Sequence, residues 1–261
     1  MSVRELTLDE VHQAELDLLA LIDSFCTQHH LRYYLAYGTL LGAIRHDGFI
    51  PWDDDADVWM PREDYDRFLR LFEETDRYRL IQPFQPAYGF AWAKVLDKRT
   101  SYTHERFKMP DDYGLTIDVF PLDEDKGEDT YRVMQKRSRL RAIKWKTLKA
   151  DGGAKGVARA FLKRVIPNSM VGDSGFRKAI SKGSWNGRWV NYCSRYRYAQ
   201  ESTAVEVFGE GVRKQFEGEH AFVVPSKAIA LIEQIYGPSW REPVVSTHPT
   251  QVYWREGYAP E

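Results

Sequence analysis

The first helical pattern of hydrophobic residues lies at residues 7–30, and it predicts an α-helix. Thr7, followed three residues later by Glu10, is typical of a capping box at the start of a helix. The hydrophobic residues on one side of this helix are Val11, Ala14, Leu18, Leu21, Ile22 and Phe25. We expect the helix to pack on the core and to take no part in chemistry.

A different pattern, at residues 34–62, combines a glycine turn, a helix and an acidic strand. Residues 33–37 are strand-like and lead into Gly38 and Thr39, after which residues 40–45 form a short hydrophobic helix with a basic end. Glycine allows a tight turn, and the free N–H groups of the helix that follows are suited to phosphate. The Thr39 hydroxyl adds a hydrogen-bond donor.

The acidic part of this stretch predicts a binding site for a positive charge. Residues 55–60 alternate as a strand does, so that Asp53, Asp55 and Asp57 share one face, whereas Asp54 does not. Clustered carboxylates suit Mg²⁺ or Mn²⁺, which prefer oxygen ligands. The alternative is a solvated acidic turn. We favour the metal site because a glycine turn precedes the acids and a hydrophobic strand follows them.

A third carboxylate is expected on a neighbouring strand, and residues 115–122 supply it. Asp118 is the only charged residue in this hydrophobic stretch. A lone buried carboxylate is costly unless it is paired or binds a metal. We therefore predict that Asp118 is a metal ligand or a base, with a structural carboxylate held by backbone amides as the alternative.

The remaining elements indicate a mixed α/β protein. Residues 62–75 read as an amphipathic helix and residues 90–96 as a strand that carries Lys94. Lys94 and the nearby Arg99 are candidate phosphate ligands, although a surface lysine is an equal alternative. Towards the C-terminus we predict strands at 204–208 and 221–224, followed by a helix at 226–236.

Composition excludes several classes of protein. The 261 residues are 43% hydrophobic and 29% charged, as in a globular protein with a substantial core. The two cysteines, Cys26 and Cys193, are far apart in sequence, so neither a disulfide framework nor a zinc site is indicated. We expect no signal peptide and no membrane span, and a cytoplasmic location follows as the default expectation.

Charge is distributed unevenly along the chain. Residues 126–188 contain 17 Lys and Arg against 4 Asp and Glu, whereas the remainder contains 20 against 34, for a net charge of −1. Residues 132–149 predict a long basic helix, and residues 157–166 predict a helix with one hydrophobic face. Such a helix is typical of contact with an anionic membrane surface, and packing on its own domain is equally compatible. A solvated helical face is a further alternative, and no RNA-binding signature is present, so nucleic acid is not expected.

Four blocks of this sequence resemble the LicD family, bacterial phosphotransferases related to fukutin and fukutin-related protein. The longest block is GTLLGAIRHDGFIPWDDDADVWMPREDYDRF. The others are KVLDKRT, TIDVFPLD and FEGEHAFVVPSKAIALIEQIYGPSW. The resemblance covers most of residues 30–125 and 205–245. The family commonly has Asp-Ile-Asp where this chain has Asp-Ala-Asp, a change that leaves the carboxylates in place.

The resemblance implies an α+β fold with a nucleotidyltransferase-like mixed β-sheet flanked by helices. It also implies the transfer of a phospho-alcohol, phosphocholine above all, from a CDP-activated donor to a hydroxyl of a cell-surface glycan, with release of CMP. The acceptor glycan would be a lipopolysaccharide, a teichoic acid or a capsule, and it could be lipid-linked. A nucleotidyltransferase that releases pyrophosphate and a non-catalytic glycan- or membrane-binding module are the alternatives.

The site residues that the resemblance implies fall within the same blocks. Asp53, Asp55, Asp57 and Asp118 would form the Mg²⁺ or Mn²⁺ site, and Arg45 and His46 would lie near the donor diphosphate. We expect a core at 1–125, a basic helical region at 126–190 and a C-terminal part at 191–261 that completes a single catalytic domain. The basic region could bring the protein to the inner face of a membrane.

Overall fold

A computed structural model describes residues 2–104, 108–145, 153–245 and 251–259 of the chain. The strands are β1 (Ser2–Glu5), β2 (Tyr34–Leu35), β3 (Ala56–Pro61), β4 (Tyr78–Ile81), β5 (Ala93–Asp97), β6 (Thr100–Thr103), β7 (Thr116–Glu124), β8 (Arg188–Val190), β9 (Thr203–Ala204), β10 (Val212–Phe216), β11 (His220–Val224) and β12 (Gln251–Arg255). The helices are α1 (Leu8–His29), α2 (Tyr37–Arg45), α3 (Arg62–Leu71), α4 (Glu128–Trp145), α5 (Gly153–Val165), α6 (Asn168–Val171), α7 (Asp173–Ile180), α8 (Tyr198–Glu201), α9 (Val205–Phe208) and α10 (Ala228–Tyr236). Within these ranges, every helix is too short or too polar to span a lipid bilayer.

A mixed seven-stranded sheet forms the centre of the fold. Its main path runs β2-β3-β7-β5-β4, and β8 and β9 extend it from the end of β7. Strands β3 and β7 are parallel, whereas the other neighbours are antiparallel. The mixed sheet and its surrounding helices confirm the α+β prediction.

Helices α1 and α3 cover the sheet and form much of the hydrophobic core. Both helices pack against β7, and the ring of Phe25 in α1 meets the ring of Phe68 in α3 edge-on at 5.3 Å. Val58 and Met60 of β3 are fully buried in the same core. Because residues alternate along a strand, their burial turns Asp57 to the opposite face of the sheet.

Most of the predicted elements occur in the structure. Helix α1 begins after Thr7, whose side chain accepts a hydrogen bond from the Glu10 backbone N–H, so the predicted capping box is confirmed. The helix predicted at 62–75 ends earlier, at Leu71, because Phe72 is already extended. The basic helix runs over Glu128–Trp145, and the part predicted at 146–149 lies outside the described residues.

Two local predictions were wrong. Residues 204–208 were predicted as a strand, but only Thr203–Ala204 pairs in a sheet and Val205–Phe208 is one turn of helix. Phe208 is buried in the core and Val207 packs against it, and a run this short does not distinguish the period of a strand from that of a helix. Helix α2 also begins at Tyr37, before the glycine, so Gly38 lies in its first turn.

Candidate active site

Three charged side chains form a row across the central sheet. Asp57 in β3 is the register partner of Asp118 in β7, and Asp118 is in turn the partner of Lys94 in β5. Directly opposed residues on neighbouring strands point to the same face of a sheet. The two acids and the lysine therefore lie side by side on the face turned away from α1 and α3.

Asp118 is compensated by two donors of the chain itself. The Lys94 ammonium forms an ion pair with Asp118 Oδ1, and Trp92 Nε1 donates a hydrogen bond to Asp118 Oδ2 at 2.7 Å. The ammonium also lies 4.4 Å from the centre of the Phe90 ring. Attraction by Asp118 keeps the pKa of Lys94 above its usual value despite burial, so the lysine is charged.

Within the described residues, neither Asp55 nor Asp57 has a comparable donor. Both face the same cavity, where the surrounding protein limits their hydration even though water reaches Asp55. Burial and the neighbouring carboxylates raise the pKa of Asp55 to about 7 and raise the pKa of Asp57 well above its ordinary value, whereas Lys94 opposes both shifts. This part of the cavity therefore favours a bound positive charge.

Glu15 adds a further acid behind this group. It is fully buried in α1, and within the described part of the chain neither of its carboxyl oxygens has a hydrogen-bond partner. Burial, followed by the charges of Asp55 and Asp54, raises its pKa well above the ordinary value. Helix α1 also contacts the acidic loop, residues 53–55, through His12, whose Nε2 lies 2.8 Å from the carbonyl oxygen of Asp53. Helix α1 therefore packs on the core as predicted and also reaches the acids, and its having no part in chemistry stays a prediction.

The glycine turn is shaped by the acidic loop. A Cβ on Gly38 would lie 2.6 Å from Asp53 Oδ2, so only glycine allows this carboxylate to approach the start of α2. Thr39 is buried outside the cavity, and its Oγ1 accepts a hydrogen bond from the Asp57 backbone N–H at 2.8 Å. Its hydroxyl thus fixes the acidic strand to α2, and the geometry gives no support to Thr39 as a phosphate ligand.

Tyr37 connects this turn to the C-terminal part of the chain. Its φ of 42° is a left-handed conformation that is uncommon outside glycine. The buried hydroxyl donates to Glu201 Oε1 at 2.9 Å and accepts from Asn191 Nδ2 at 2.8 Å. The ring stacks on Tyr196 with centroids 5.3 Å apart. Burial raises the pKa of Glu201 to about 8.

A cavity of about 820 Å³ opens above the acidic row. Asp55, Asp57, Asp118 and Lys94 lie in its floor, and residues 193–196 and 236–244 contribute to its wall. Its lining is rich in aromatic side chains, namely Tyr37, Trp52, Tyr88, Phe90, Trp92, Tyr102, Tyr113, Phe120, Trp145, Tyr196, Tyr236 and Trp240. The cavity therefore combines a strongly acidic floor with aromatic walls.

The predicted substrate-binding residues are distributed unevenly around this cavity. Gly38, Arg45 and Lys94 line it, and Arg45 also donates to the Trp240 carbonyl oxygen at 2.9 Å. His46 does not line the cavity; its Nε2 accepts from Arg45 Nε at 2.9 Å. Arg99 is elsewhere, where it pairs with Asp97 at 2.8 Å, so its predicted contact with phosphate has no support in the geometry.

The fit of this site to a divalent ion rests on two of the predicted acids. Among the residues that the structure describes, no three His, Cys, Asp or Glu side chains are arranged to hold a metal ion together. Asp118 is directed to Lys94, whereas Asp55 and Asp57 supply uncompensated oxygens of the type that Mg²⁺ prefers. The pair fits a cation that takes its other ligands from substrate phosphate and water, and the three-carboxylate site stays a prediction.

Sequence reasoning missed several residues of the site. Trp92 lies two positions before Lys94 in an alternating stretch, which would have placed both on one face. Glu15 lies four residues after Val11 on the hydrophobic side of α1, and an acid in that position was a signal. No sequence pattern indicates a site role for Asn191, Glu201 or Tyr196, because they approach Tyr37 only in the folded chain.

Comparison with known proteins assigns the same part of the chain to one family. Residues 30–149 match the family described as LicD/FKTN/FKRP, nucleotidyltransferase domain. The chain is 34% identical over 145 residues to the lipopolysaccharide cholinephosphotransferase LicD of Haemophilus influenzae, a match that covers 53% of this chain and 54% of that protein. An uncharacterised protein of Rickettsia prowazekii is 28% identical over 110 residues, or 38% of this chain and 41% of its own length.

These matches are partial. The chain spans about half the length of the Haemophilus influenzae protein and less than half of the Rickettsia prowazekii protein. The match to the family ends at residue 149, so it covers the acidic row and Lys94 but not the wall at 193–196 and 236–244. The family match therefore extends over the floor of the cavity but not over this part of its wall.

Proposed function

We propose, since this chain belongs to the LicD family, that it transfers a phospho-alcohol from a CDP-activated donor to a hydroxyl of a cell-surface glycan and releases CMP. Phosphocholine is the proposed group and a lipopolysaccharide-type glycan the proposed acceptor, because the matched Haemophilus influenzae protein is a lipopolysaccharide cholinephosphotransferase. The proposal includes a cytoplasmic location. The observation that carries it is the acidic row beneath an aromatic cavity.

The floor of the cavity supports binding of a diphosphate. Asp55 and Asp57 would hold Mg²⁺ or Mn²⁺, which when bound would neutralise phosphate charge and stabilise the departing nucleotide. Lys94 is a charged ammonium beside these acids, and Arg45 is a second cation at the cavity edge. Both side chains can therefore attract and orient the phosphates of the donor.

Asp118 is the proposed acceptor of the proton from the acceptor hydroxyl. Each carboxylate oxygen has two acceptor positions, so contacts with Lys94 and Trp92 leave one free on each oxygen. Those two contacts also fix the orientation of the carboxylate. In the proposed reaction the acceptor oxygen attacks the phosphorus, its proton passes to Asp118, and the bond from phosphorus to the CMP oxygen breaks.

The walls support a choline-type group. A quaternary ammonium has no N–H to donate and is bound by the faces of aromatic rings. Aromatic rings surround the cavity, and Phe90 and Trp92 already lie near the Lys94 ammonium at 4.4 and 5.8 Å. Phosphoethanolamine, glycerol phosphate and ribitol phosphate are the competing groups, since each would use the same floor.

The second candidate is a nucleotidyltransferase that moves NMP and releases pyrophosphate. The description of the matched family as a nucleotidyltransferase domain favours it. The two reactions differ in which side of a diphosphate is transferred, so the released product distinguishes them directly.

The test is product analysis with purified protein and Mg²⁺. CDP-choline, CDP-ethanolamine, CDP-glycerol and CDP-ribitol are incubated with lipopolysaccharide, and CMP and pyrophosphate are measured, with CTP as the nucleotidyltransferase substrate. We expect acceptor-dependent CMP release that is fastest with CDP-choline. Pyrophosphate release from CTP in place of CMP would move the assignment to the alternative.

The matched variants are Asp55→Asn and Asp47→Asn. Asp55 lines the cavity, whereas Asp47 lies outside it and pairs with Lys214. We expect Asp55→Asn to lower the rate by roughly 10²–10³-fold and Asp47→Asn to leave it unchanged. Equal rates for both variants would remove Asp55 from the site.

A further inference from the structure

Helix α5 exposes hydrophobic side chains along one face. Val157, Phe161 and Val165 follow one another at intervals of four residues, a spacing that places them on the same side of a helix. Their exposed fractions are 72%, 65% and 50%, and Leu162 beside them is 44% exposed. An ordinary surface helix turns such a face to the core.

Contacts with α4 hold α5 in this orientation. The Lys144 ammonium, near the end of α4, donates hydrogen bonds to the carbonyl oxygens of Lys163, at 3.1 Å, and Ile166. Ile166, directly after the helix, is buried. The protein therefore anchors the C-terminal end of α5 while the hydrophobic face stays in solvent.

The charge around this helix identifies a partner. Residues 126–188 carry 17 Lys and Arg against 4 Asp and Glu, and Arg164 is exposed on α5 itself. A second copy of the chain would bring two such basic regions together, which repel. An anionic lipid surface instead attracts the basic residues and accepts the hydrophobic side chains.

The position of α5 relates this face to the cavity. Trp145 lines the cavity and directly follows Lys144, the residue that anchors α5. Val244, which is 79% exposed, lies in the lining of the same cavity. The C-terminal end of α5 is therefore held by the residue next to Trp145 of the cavity lining.

We propose that α5 binds the surface of an anionic membrane, with Val157, Phe161 and Val165 inserted between the lipids and Arg164 at the headgroups. The helix lies in the plane of the interface, and the cavity wall at Trp145 is held next to the lipid surface. This proposal goes beyond the proposed transfer reaction and does not depend on it.

The test is sedimentation of the full chain with lipid vesicles. One set of vesicles contains equal parts phosphatidylglycerol and phosphatidylcholine, and the other contains phosphatidylcholine alone. We expect binding to the anionic vesicles that weakens as salt is added, because the attraction is partly electrostatic. Absence of binding to anionic vesicles, or equal binding to both sets, would overturn the proposal.

Matched substitutions locate the contact on α5. The double variant Val157→Asp, Phe161→Asp is compared with Ile229→Asp, which changes a side chain of 49% exposure on α10. We expect the double variant to bind anionic vesicles more weakly than the unaltered chain, by a factor of about ten. We expect Ile229→Asp to bind them as the unaltered chain does. Circular dichroism and thermal unfolding verify that each variant is folded.

Two results would contradict the assignment to lipid. If both variants bind the vesicles as the unaltered chain does, α5 is not the contact. If the chain self-associates in sedimentation equilibrium without vesicles, and the double variant abolishes that association, the exposed face is an interface between copies.

Discussion

The cavity floor and helix α5 depart in opposite directions from the usual distribution of charge and hydrophobic surface. On the floor, Asp55 and Asp57 bring two carboxyl groups next to other acids in a cavity that limits their hydration. On α5, Val157 and Phe161 lie in water. Folded proteins ordinarily keep charge in solvent and hydrophobic side chains inside.

The difference teaches what each surface requires from a partner. The floor is destabilised by repulsion and limited hydration, so it gains most from a cation and the phosphates that accompany it. Helix α5 is destabilised by exposed hydrophobic area, so it gains most from a surface that removes that area from water. Substitutions at either place should therefore weaken binding of the partner without lowering the stability of the fold.

The largest expected effect is at Asp57. We expect Asp57→Asn to reduce transfer activity by roughly 10²–10³-fold and to raise the melting temperature, because it removes a carboxyl group whose ionisation is disfavoured by burial and by the neighbouring acids. Activity and thermal unfolding are measured on the same sample. A variant that loses stability together with activity would break the comparison, since Asp57 would then be a structural residue.

The next largest effect is at Lys94, the counter-charge of the floor. Lys94→Met leaves Asp118 without its ion pair, and we expect a loss of about 3–5 kcal/mol in the free energy of unfolding. Adding Asp118→Asn should restore most of it. The control is Lys98→Met, whose exposed pair with Glu74 should contribute less than about 1 kcal/mol. Denaturant unfolding of these three variants and of the unaltered chain measures these differences.

The third effect is a pH dependence at Glu201, which is buried behind Tyr37 of the cavity lining. Burial raises its pKa from 4.5 to about 8, so the folded state holds a proton that the unfolded state releases. The stability this provides is fully present below the unfolded pKa and is lost as the pH rises through about 8. The melting temperature should therefore fall as the pH rises from 4.5 to about 8, and we expect Glu201→Gln to reduce this fall. Glu206→Gln, at an exposed site, should leave the slope unchanged.

The smallest effect is on the stability of α5. Phe161→Ala should change the free energy of unfolding by less than about 0.5 kcal/mol, because the side chain is 65% exposed. Phe208→Ala, in the core, should cost about 3–5 kcal/mol. Denaturant unfolding compares the two. A large loss at Phe161 would show that its face is packed, which would remove the contrast with the floor.

The acidic floor could be predicted from sequence because its elements are local and regular. Alternation in β3 and a single acid in β7 were sufficient to place Asp57 and Asp118 on strands, and parallel pairing puts them in register. The pairing of Asp118 with Lys94 was not predicted, because it depends on which strand adjoins β7 on its other side. The roles of these residues stay predictions.

The wall of the cavity could not be predicted in the same way. Helix α10 was expected, yet nothing in its sequence places Tyr236 opposite the acidic strand. The left-handed backbone at Tyr37 was also missed, since the adjacent glycine was the natural candidate for that conformation. Contacts over long sequence separations, such as that between Tyr37 and Glu201, follow from the assembled fold.

The cavity joins two stretches that are far apart in the chain, and this has a consequence for how its selectivity can change. Tyr196, Tyr236 and Trp240 lie more than a hundred residues beyond Asp55 and Asp57, on separate parts of the chain. Exchanging these side chains can reshape the cavity wall while Asp55, Asp57 and Asp118 remain in place. A library of variants at these three positions could therefore be screened for a changed donor preference, with the proposed metal-binding and base residues kept.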